Sequence, residues 1–202
     1  MITHQVISVT EVKADAIAHQ ANCFWIMGAG VARAIREKYP EAYEADLKTP
    51  RGSKKKLGTY SLAETSDGKV IYNVYSQFNL SAGIGDRATL YDMVDVGLRA
   101  VRDHMEQLAG PAEIMYEPLT LAIPYKYGCA LGGGSWPIVE AIIRDIFEKS
   151  PIDVILCEWP PNVVNPTPPM SALEKALNFK LGVADANDAN EFGNNESRPF
   201  TA

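Results

Sequence analysis

Residues 19–38 read HQANCFWIMGAGVARAIREK, a run in which a strand end, a glycine loop and a helix start follow one another. The segment Asp15–Ala18 just before it is mostly apolar and predicts a buried strand. Gly28 and Gly30 then form a loop, and Ala32–Glu37 has the one-sided apolar pattern of an amphipathic helix. Such a loop presents free backbone N–H groups and the positive end of a helix dipole. The run therefore predicts a binding site for an anion such as phosphate.

A second glycine cluster lies later in the chain, where Gly128 is followed by Gly132–Gly134 in the same strand-to-helix context. Two loops of this kind indicate a ligand with more than one phosphate group. Neither is a Walker loop, because no Gly-Lys-Ser/Thr follows it. A Rossmann dinucleotide site is disfavoured for two reasons. The acids about 20 residues downstream, Glu44 and Asp46, fall at a helix start, and the segment Cys23–Met27 separates the strand from the first glycine.

Strand and helix patterns alternate along the chain. The predicted strands are Gln5–Ser8, Asp15–Gln20, Gly58–Ala63, Val70–Tyr75, Leu119–Ile123 and Asp153–Cys157. The predicted helices are Gly30–Lys38, Pro40–Leu47, Leu90–Leu108 and Trp136–Lys149. This alternation predicts an α/β fold with a mixed or parallel sheet and helices on both faces. Both glycine clusters then lie beyond the carboxyl ends of strands, where such sheets bind ligands.

The composition is typical of one globular domain, since 47% of the 202 residues are hydrophobic and 22% are charged. No apolar run approaches the ~20 residues that span a bilayer, and no basic segment followed by an apolar one begins the chain. We expect a cytoplasmic protein without a membrane partner. The net charge of −6 makes general nucleic-acid binding unexpected, and the basic cluster Arg51–Lys56 is interpreted as a solvated loop. Cys23, Cys129 and Cys157 lack metal-ligand spacing and are expected to be reduced thiols.

The character of the chain changes after Trp159. Pro160, Pro161, Pro166, Pro168 and Pro169 indicate an extended linker or strap, and the Asn- and Asp-rich segment Ala184–Ala202 is expected to be disordered. Between them, Ala172–Leu177 is compatible with a short helix. The predicted organisation is one domain over residues 1–159 and a strap with a tail over residues 160–202.

Four separated motifs resemble the macrodomain family. They are His19–Ala32, Lys38–Tyr43, Tyr72–Gln77 and Ile123–Leu131, and the resemblance covers roughly residues 5 to 158 in the family's order. The chain is most similar to the branch that contains ADP-ribose-1″-phosphate phosphatases and phage-encoded relatives. The resemblance implies a three-layer α/β/α fold with a mixed central sheet and a pocket for ADP-ribose or ADP-ribose-1″-phosphate. We expect no cofactor, and no metal because the sequence has no His-x-His, no Cys-x-x-Cys and no clustered acids.

The resemblance also implies roles for individual residues. Asn22 matches the residue that holds the distal ribose, and the residues expected around the rest of ADP-ribose follow the strands. They are Gly28, Ala29, Gly30 and Val31 in the first loop, Ser76 and Gln77 after a strand, Gly128, Cys129, Ala130, Leu131, Gly132, Gly133 and Gly134 in the second loop, and Trp159 against the base. Trp159 is equally compatible with a place in the core, and Asn22 with a turn cap.

His19 is the candidate catalytic residue. The phosphatase branch resembles this chain in having His at this position, followed two residues later by a small residue, Asn and Cys. An imidazole that titrates near neutral pH can donate a proton to a leaving alkoxide or orient a water molecule. The alternative is a structural histidine at the strand end.

Three positions depart from the family pattern. Related hydrolases that remove ADP-ribose from acidic side chains have Asp near Gly132 and Lys near Gln77, and macrodomains usually have an adenine-binding Asp where this chain has Ser8. We therefore expect a phosphoric monoester hydrolase acting on ADP-ribose-1″-phosphate. The alternatives are an ADP-ribose reader without chemistry and a hydrolase that removes ADP-ribose from protein or nucleic acid.

Overall fold

The computed structural model describes residues 1–80, 87–109 and 117–161 of the chain. The predicted short helix at Ala172–Leu177, most of the proline-rich strap and the tail lie outside these residues. The strands are β1 (Ile2–Val6), β2 (Ala16–Asn22), β3 (Tyr60–Glu64), β4 (Val70–Gln77), β5 (Thr120–Pro124) and β6 (Asp153–Glu158). The helices are α1 (Gly30–Lys38), α2 (Pro40–Leu47), α3 (Tyr91–Ala109) and α4 (Trp136–Phe147), with a 3₁₀ turn at Lys54–Lys56.

The six strands form one mixed sheet in the order β1-β6-β5-β2-β4-β3. Every neighbouring pair is parallel except β3 and β4. Because β1, β6, β5, β2 and β4 run in the same direction, the segments that follow them meet at one edge, called here the carboxyl edge. The α/β fold with a mixed sheet, predicted from the sequence, is confirmed.

Two layers of helices cover the sheet. On one face α1 and α2 bury Ile35, Tyr39 and Ala42 against Ile17 of β2 and Ile71 of β4. On the other face α3 and α4 pack on alternate residues of the same strands, and the members of this cluster include Ala18, Val74, Leu98, Leu121, Ile143 and Val154. Successive strand residues point to opposite faces, so each inner strand contributes to both cores.

The predicted helices α1 and α2 occur at the bounds expected from the sequence. The first strand does not, because it covers Ile2–Val6 rather than Gln5–Ser8. The backbone leaves the sheet before Ser8, whose carbonyl oxygen accepts hydrogen bonds from the N–H groups of Glu11 and Val12. These turn bonds are incompatible with continued strand pairing. Among the described residues, no helix combines the length and apolar character needed to cross a membrane.

Candidate functional site

Two loops face each other at the carboxyl edge. Loop 1, residues 23–29, joins β2 to α1, and loop 2, residues 125–135, joins β5 to α4. Because β2 and β5 are parallel neighbours, both loops emerge on the same side of the sheet. A Cβ atom at Gly30 would lie 3.8 Å from Leu131 Cδ1, and the Leu131 side chain is 69% exposed. The two glycine clusters predicted to act together are therefore adjacent in space.

Asn22 shapes loop 1. Its Nδ2 donates a hydrogen bond to the carbonyl oxygen of Ile26 at 2.7 Å, and its Oδ1 accepts hydrogen bonds from the N–H groups of Phe24 at 2.9 Å and Ile26 at 3.2 Å. The side chain is buried, and its Oδ1 and one N–H of its amide bond to the loop that follows it. This geometry is that of the turn cap, and the ribose-binding role of Asn22 stays a prediction, because these bonds leave the second amide N–H unused.

The start of α1 is open to an anion. Ala29 is the N-cap, no side chain caps the helix, and the first turn contains no acidic residue. The first N–H groups of a helix lack partners within the helix, so those of Gly30, Val31 and Ala32 remain available. Gly28, just before them, has no heavy atom within 4 Å of the place where a Cβ would stand. This geometry leaves room for an anion, and the anion site itself stays a prediction.

Loop 2 is clamped to the end of β2 and to the segment before α3. Thr89 Oγ1 donates to the carbonyl oxygen of Gly128 at 2.7 Å and accepts a hydrogen bond from Gln20 Nε2 at 3.0 Å. The N–H groups of Ala88 and Thr89 both donate to the carbonyl oxygen of Gly132 at 3.0 Å. Sequence reasoning missed Gln20 and Thr89, because they are distant in sequence from the loop that they hold.

The atoms around Gly132 leave no room for a side chain at this position. A Cβ there would collide with Thr89 Oγ1 and would lie 2.6 Å from the carbonyl oxygen of Gly128. The aspartate of the related hydrolases therefore cannot occupy this position without a rearrangement of loop 2. The packing around Gly132 therefore accounts for a glycine, and not an aspartate, at this position.

Ser76 and Gln77 belong to the framework beneath the loops. Ser76 is fully buried, and its Oγ lies 3.2 Å from both Gln20 Nε2 and the hydroxyl of Tyr127. The amide of Gln77 donates to the carbonyl oxygen of Asn79 at 3.2 Å, and its side chain is also buried. The ligand contact predicted for Ser76 does not fit this geometry, because its side chain points into the protein, whereas the contact predicted for Gln77 stays a prediction.

Cys129 and Trp159 lie where the sequence placed them, in loop 2 and just after β6. Both are half-buried. Burial raises the pKa of the Cys129 thiol, so the thiol is protonated at neutral pH and is not a nucleophile. Trp159 is at the carboxyl edge, and both roles considered for it, stacking on a base and packing in the core, stay predictions.

A group of aromatic rings lies between loop 2 and β1. The rings of Tyr125 and Trp136 are 4.8 Å apart, and the imidazole of His4 is 4.6 Å from Tyr125. Ser8, where the family has its adenine-binding aspartate, forms a 2.8 Å hydrogen bond with Thr10. Flat rings at this end of the edge offer stacking surfaces for a base in the absence of that aspartate.

His19 lies inside the protein and not at the ligand edge. It is fully buried on the face of the sheet covered by α1 and α2, with Nε2 2.7 Å from Asn73 Oδ1 and Nδ1 3.1 Å from the carbonyl oxygen of Gln20. Asn73 in turn donates to the carbonyl oxygen of Ala42 at 2.8 Å and to Ser61 Oγ at 2.9 Å. Burial lowers the pKa of the imidazole, which is neutral at pH 7. An enclosed imidazole cannot reach a bound phosphate, so the predicted proton-transfer role of His19 does not fit the structure.

A buried ion pair supports loop 1 from below. Lys56 Nζ lies 3.0 Å from Asp46 Oδ1, and the two side chains are 5% and 1% exposed. The hydroxyl of Tyr75 donates to the same carboxylate at 2.8 Å, and the ammonium is 4.1 Å from the centroid of the Tyr75 ring. Lys56 Nζ also donates to the carbonyl oxygen of Cys23 in loop 1 at 3.5 Å. No local pattern in the sequence indicates that one lysine of the basic cluster is buried and paired.

No group of three or more potential metal ligands occurs within the parts of the chain that the structure describes.

No family model matches the sequence. A 17.5 kDa uncharacterised protein from the tk-vs intergenic region of Enterobacteria phage T4 is 30% identical over 149 residues, which cover 72% of this chain and 86% of the phage protein. The chain belongs to the family of this phage protein.

Solved macrodomains share the fold. The macrodomain of Mycobacterium tuberculosis DarG superimposes with a TM-score of 0.60 at 20% identity, over 80% of this chain and 98% of that one. The Trypanosoma brucei macrodomain in complex with ADP-ribose gives a TM-score of 0.57 at 16% identity, over 79% and 63% of the two chains. The predicted macrodomain fold is thereby confirmed.

Because His19 is buried in its neutral form, the free energy of unfolding of the protein should depend on pH. In the unfolded chain the imidazole titrates near pH 6.5, whereas its folded pKa is lower, so acid stabilises the unfolded state. The contribution is present above pH 6.5 and is lost as the pH falls below it. Acidification from pH 7.5 to 5.5 should therefore lower the free energy of unfolding.

Denaturant unfolding of the parent and of His19→Gln at both pH values measures this contribution. We expect the variant to be less stable at pH 7.5 but to lose less free energy of unfolding on acidification. An identical pH dependence in the two proteins would show that His19 is protonated in the folded state or accessible to solvent.

Proposed function

We propose that the chain binds ADP-ribose in the cleft between loop 1 and loop 2. The main support for this proposal is the start of α1, which has no side-chain cap and follows Gly28. Leu131 of loop 2 lies next to Gly30 at this helix start. A diphosphate in this cleft would accept hydrogen bonds from backbone N–H groups of both loops and would lie at the positive end of the α1 dipole. The ADP-ribose complex of the Trypanosoma brucei macrodomain supports the same ligand class.

The order of the strands suggests how the rest of the ligand is arranged. Loops 1 and 2 follow the central strands β2 and β5, and the rings of His4, Tyr125 and Trp136 lie towards β6 and β1. With the diphosphate on the loops, the adenine would stack near these rings. The distal ribose would then point towards the ends of β2 and β4. Backbone groups and the remaining amide N–H of Asn22 would hold it there.

Substitution of Gly28 tests the binding site without disturbing the fold. A side chain at this position meets open space and needs no left-handed backbone, so stability should stay within about 0.5 kcal/mol of the parent. Gly28→Glu should weaken ADP-ribose binding at least 30-fold in calorimetric titration, because a carboxylate would repel the diphosphate. Gly28→Gln is the control of equal size, and it should weaken binding less. Unchanged affinity in Gly28→Glu would exclude this cleft as the site.

A second candidate function is hydrolysis of ADP-ribose-1″-phosphate to ADP-ribose and inorganic phosphate. The resemblance of His19–Cys23 to the phosphatase branch favours it. In this reaction water attacks phosphorus, the bond from phosphorus to the 1″ oxygen breaks, and that oxygen takes up a proton. The N–H groups of the loops would stabilise charge on the phosphate, and solvent water would supply the proton in place of the buried His19.

Phosphate release from ADP-ribose-1″-phosphate tests this reaction. We expect the parent protein to release phosphate and His19→Gln to keep its turnover per folded molecule within about threefold, because His19 does not touch the ligand. Abolished turnover in a folded His19→Gln would restore the direct catalytic role. ADP-ribose binding without phosphate release by the parent would identify a reader.

A further inference from the structure

A patch of alternating rings and cations lies beside loop 1, on the side away from loop 2. It comprises Phe24, Trp25, Arg51, Lys54, Lys55 and Phe78, and is called here the basic–aromatic patch. The rings are half-buried, and the three basic side chains are exposed. The Arg51 guanidinium lies 5.7 Å from the centroid of the Phe24 ring and 5.8 Å from that of Trp25, and Lys54 Nζ lies 5.6 Å from that of Phe78.

Hydrogen bonds between three segments hold the patch rigid. The N–H of Gly52 donates to the carbonyl oxygen of Cys23 at 2.7 Å, and the N–H of Cys23 donates to that of Phe78 at 2.9 Å. Trp25 has φ of 65°, a strained value for a bulky residue, and its indole N–H donates to the carbonyl oxygen of Thr49 at 3.1 Å. The rings are therefore fixed in place before any partner arrives, which reduces the entropy lost on binding.

The charge of the patch is opposite to that of the whole protein. Residues 48–56 contain five basic residues and no acidic one, in a chain with a net charge of −6. Lys56 is buried with Asp46, so the exposed charges are those of Lys48, Arg51, Lys54 and Lys55. Within the described residues, Lys54 and Lys55 form no ion pair with an acidic side chain. A local positive field on a negative molecule selects an anionic partner.

We infer that the basic–aromatic patch binds a single-stranded nucleic acid. Exposed cations contact successive phosphates of such a strand, and aromatic rings beside them stack on its unpaired bases. An acidic peptide would use the cations but has no flat groups for three rings. This surface shares loop 1 with the cleft of the proposed function, but its cations lie outside that loop, so ADP-ribose titration of variants at these cations separates the two proposals. The net negative charge makes general nucleic-acid binding unexpected from the sequence, where the basic cluster Arg51–Lys56 is interpreted as a solvated loop. The rings that lie beside these cations come from other segments of the chain.

Fluorescence anisotropy with a fluorescein-labelled dT12 oligonucleotide tests the inference. The triple variant Arg51→Ser, Lys54→Ser, Lys55→Ser should bind at least tenfold more weakly than the parent. The affinity of the parent should fall with salt at a logarithmic slope of about −2, as expected for three phosphate contacts on a single strand. The control variant Lys13→Ser, Lys38→Ser, Lys149→Ser removes the same charge from exposed positions at the opposite edge of the sheet, and it should keep the affinity of the parent.

The rings are tested with Phe24→Leu and Phe78→Leu, which preserve apolar packing but remove the stacking surface. Each should weaken dT12 binding at least threefold and leave the binding of inorganic polyphosphate unchanged. Equal losses in the triple variant and its control would overturn the inference, as would dT12 binding that is insensitive to both ring substitutions. Tighter binding of an acidic peptide than of dT12 would assign the patch to a protein partner instead. ADP-ribose affinity of the triple variant, measured by calorimetry, should equal that of the parent and reports on the cleft separately.

Discussion

The buried ion pair between Lys56 and Asp46 is the interaction on which both candidate surfaces depend. Its 3.0 Å contact joins the 3₁₀ turn to α2, and Tyr75 of β4 completes the shell around the carboxylate. A buried pair gains little net stability over apolar packing, but loss of one partner costs about 3–5 kcal/mol because the other charge stays buried. Its effect here is positional. The pair holds the carbonyl oxygen of Cys23, the first residue of loop 1, against the segment that carries the basic–aromatic patch.

Loop 2 reaches the same rigidity by a different route. Thr89 Oγ1 donates to the carbonyl oxygen of Gly128, the N–H groups of Ala88 and Thr89 donate to that of Gly132, and Gln20 donates to Thr89 in turn. The lack of a side chain at Gly132 lets the two backbone segments meet. Both loops are thus fixed by groups that lie beneath them, so the anion site proposed between them would need little reorganisation before binding. Preorganisation of this kind converts weak backbone contacts into useful affinity, because less entropy is lost on binding.

The sequence predicted the framework of the site better than its side chains. The α1 and α2 bounds, the sheet class and the two facing glycine loops follow from local patterns that tertiary packing does not change. The proton-transfer role predicted for His19 does not fit the structure. When only the sequence is considered, a polar residue near the end of a strand is expected to be accessible to a ligand. Strand alternation contains the contrary signal, since His19 shares a face with Ile17, beneath α1 and α2. The partners of Asn22, Lys56 and Gln20 depend on loop paths and on contacts distant in sequence, which no local pattern encodes.

We propose that backbone N–H groups of loops 1 and 2 together hold the diphosphate of ADP-ribose. Titration of ¹⁵N-labelled protein with ADP-ribose, followed by amide chemical shifts, is the decisive measurement. We expect the largest shift changes on the amides of residues 28–32 and 128–134, at the same ligand concentrations for both loops. Changes confined to one loop, or centred on the opposite edge of the sheet, would contradict it.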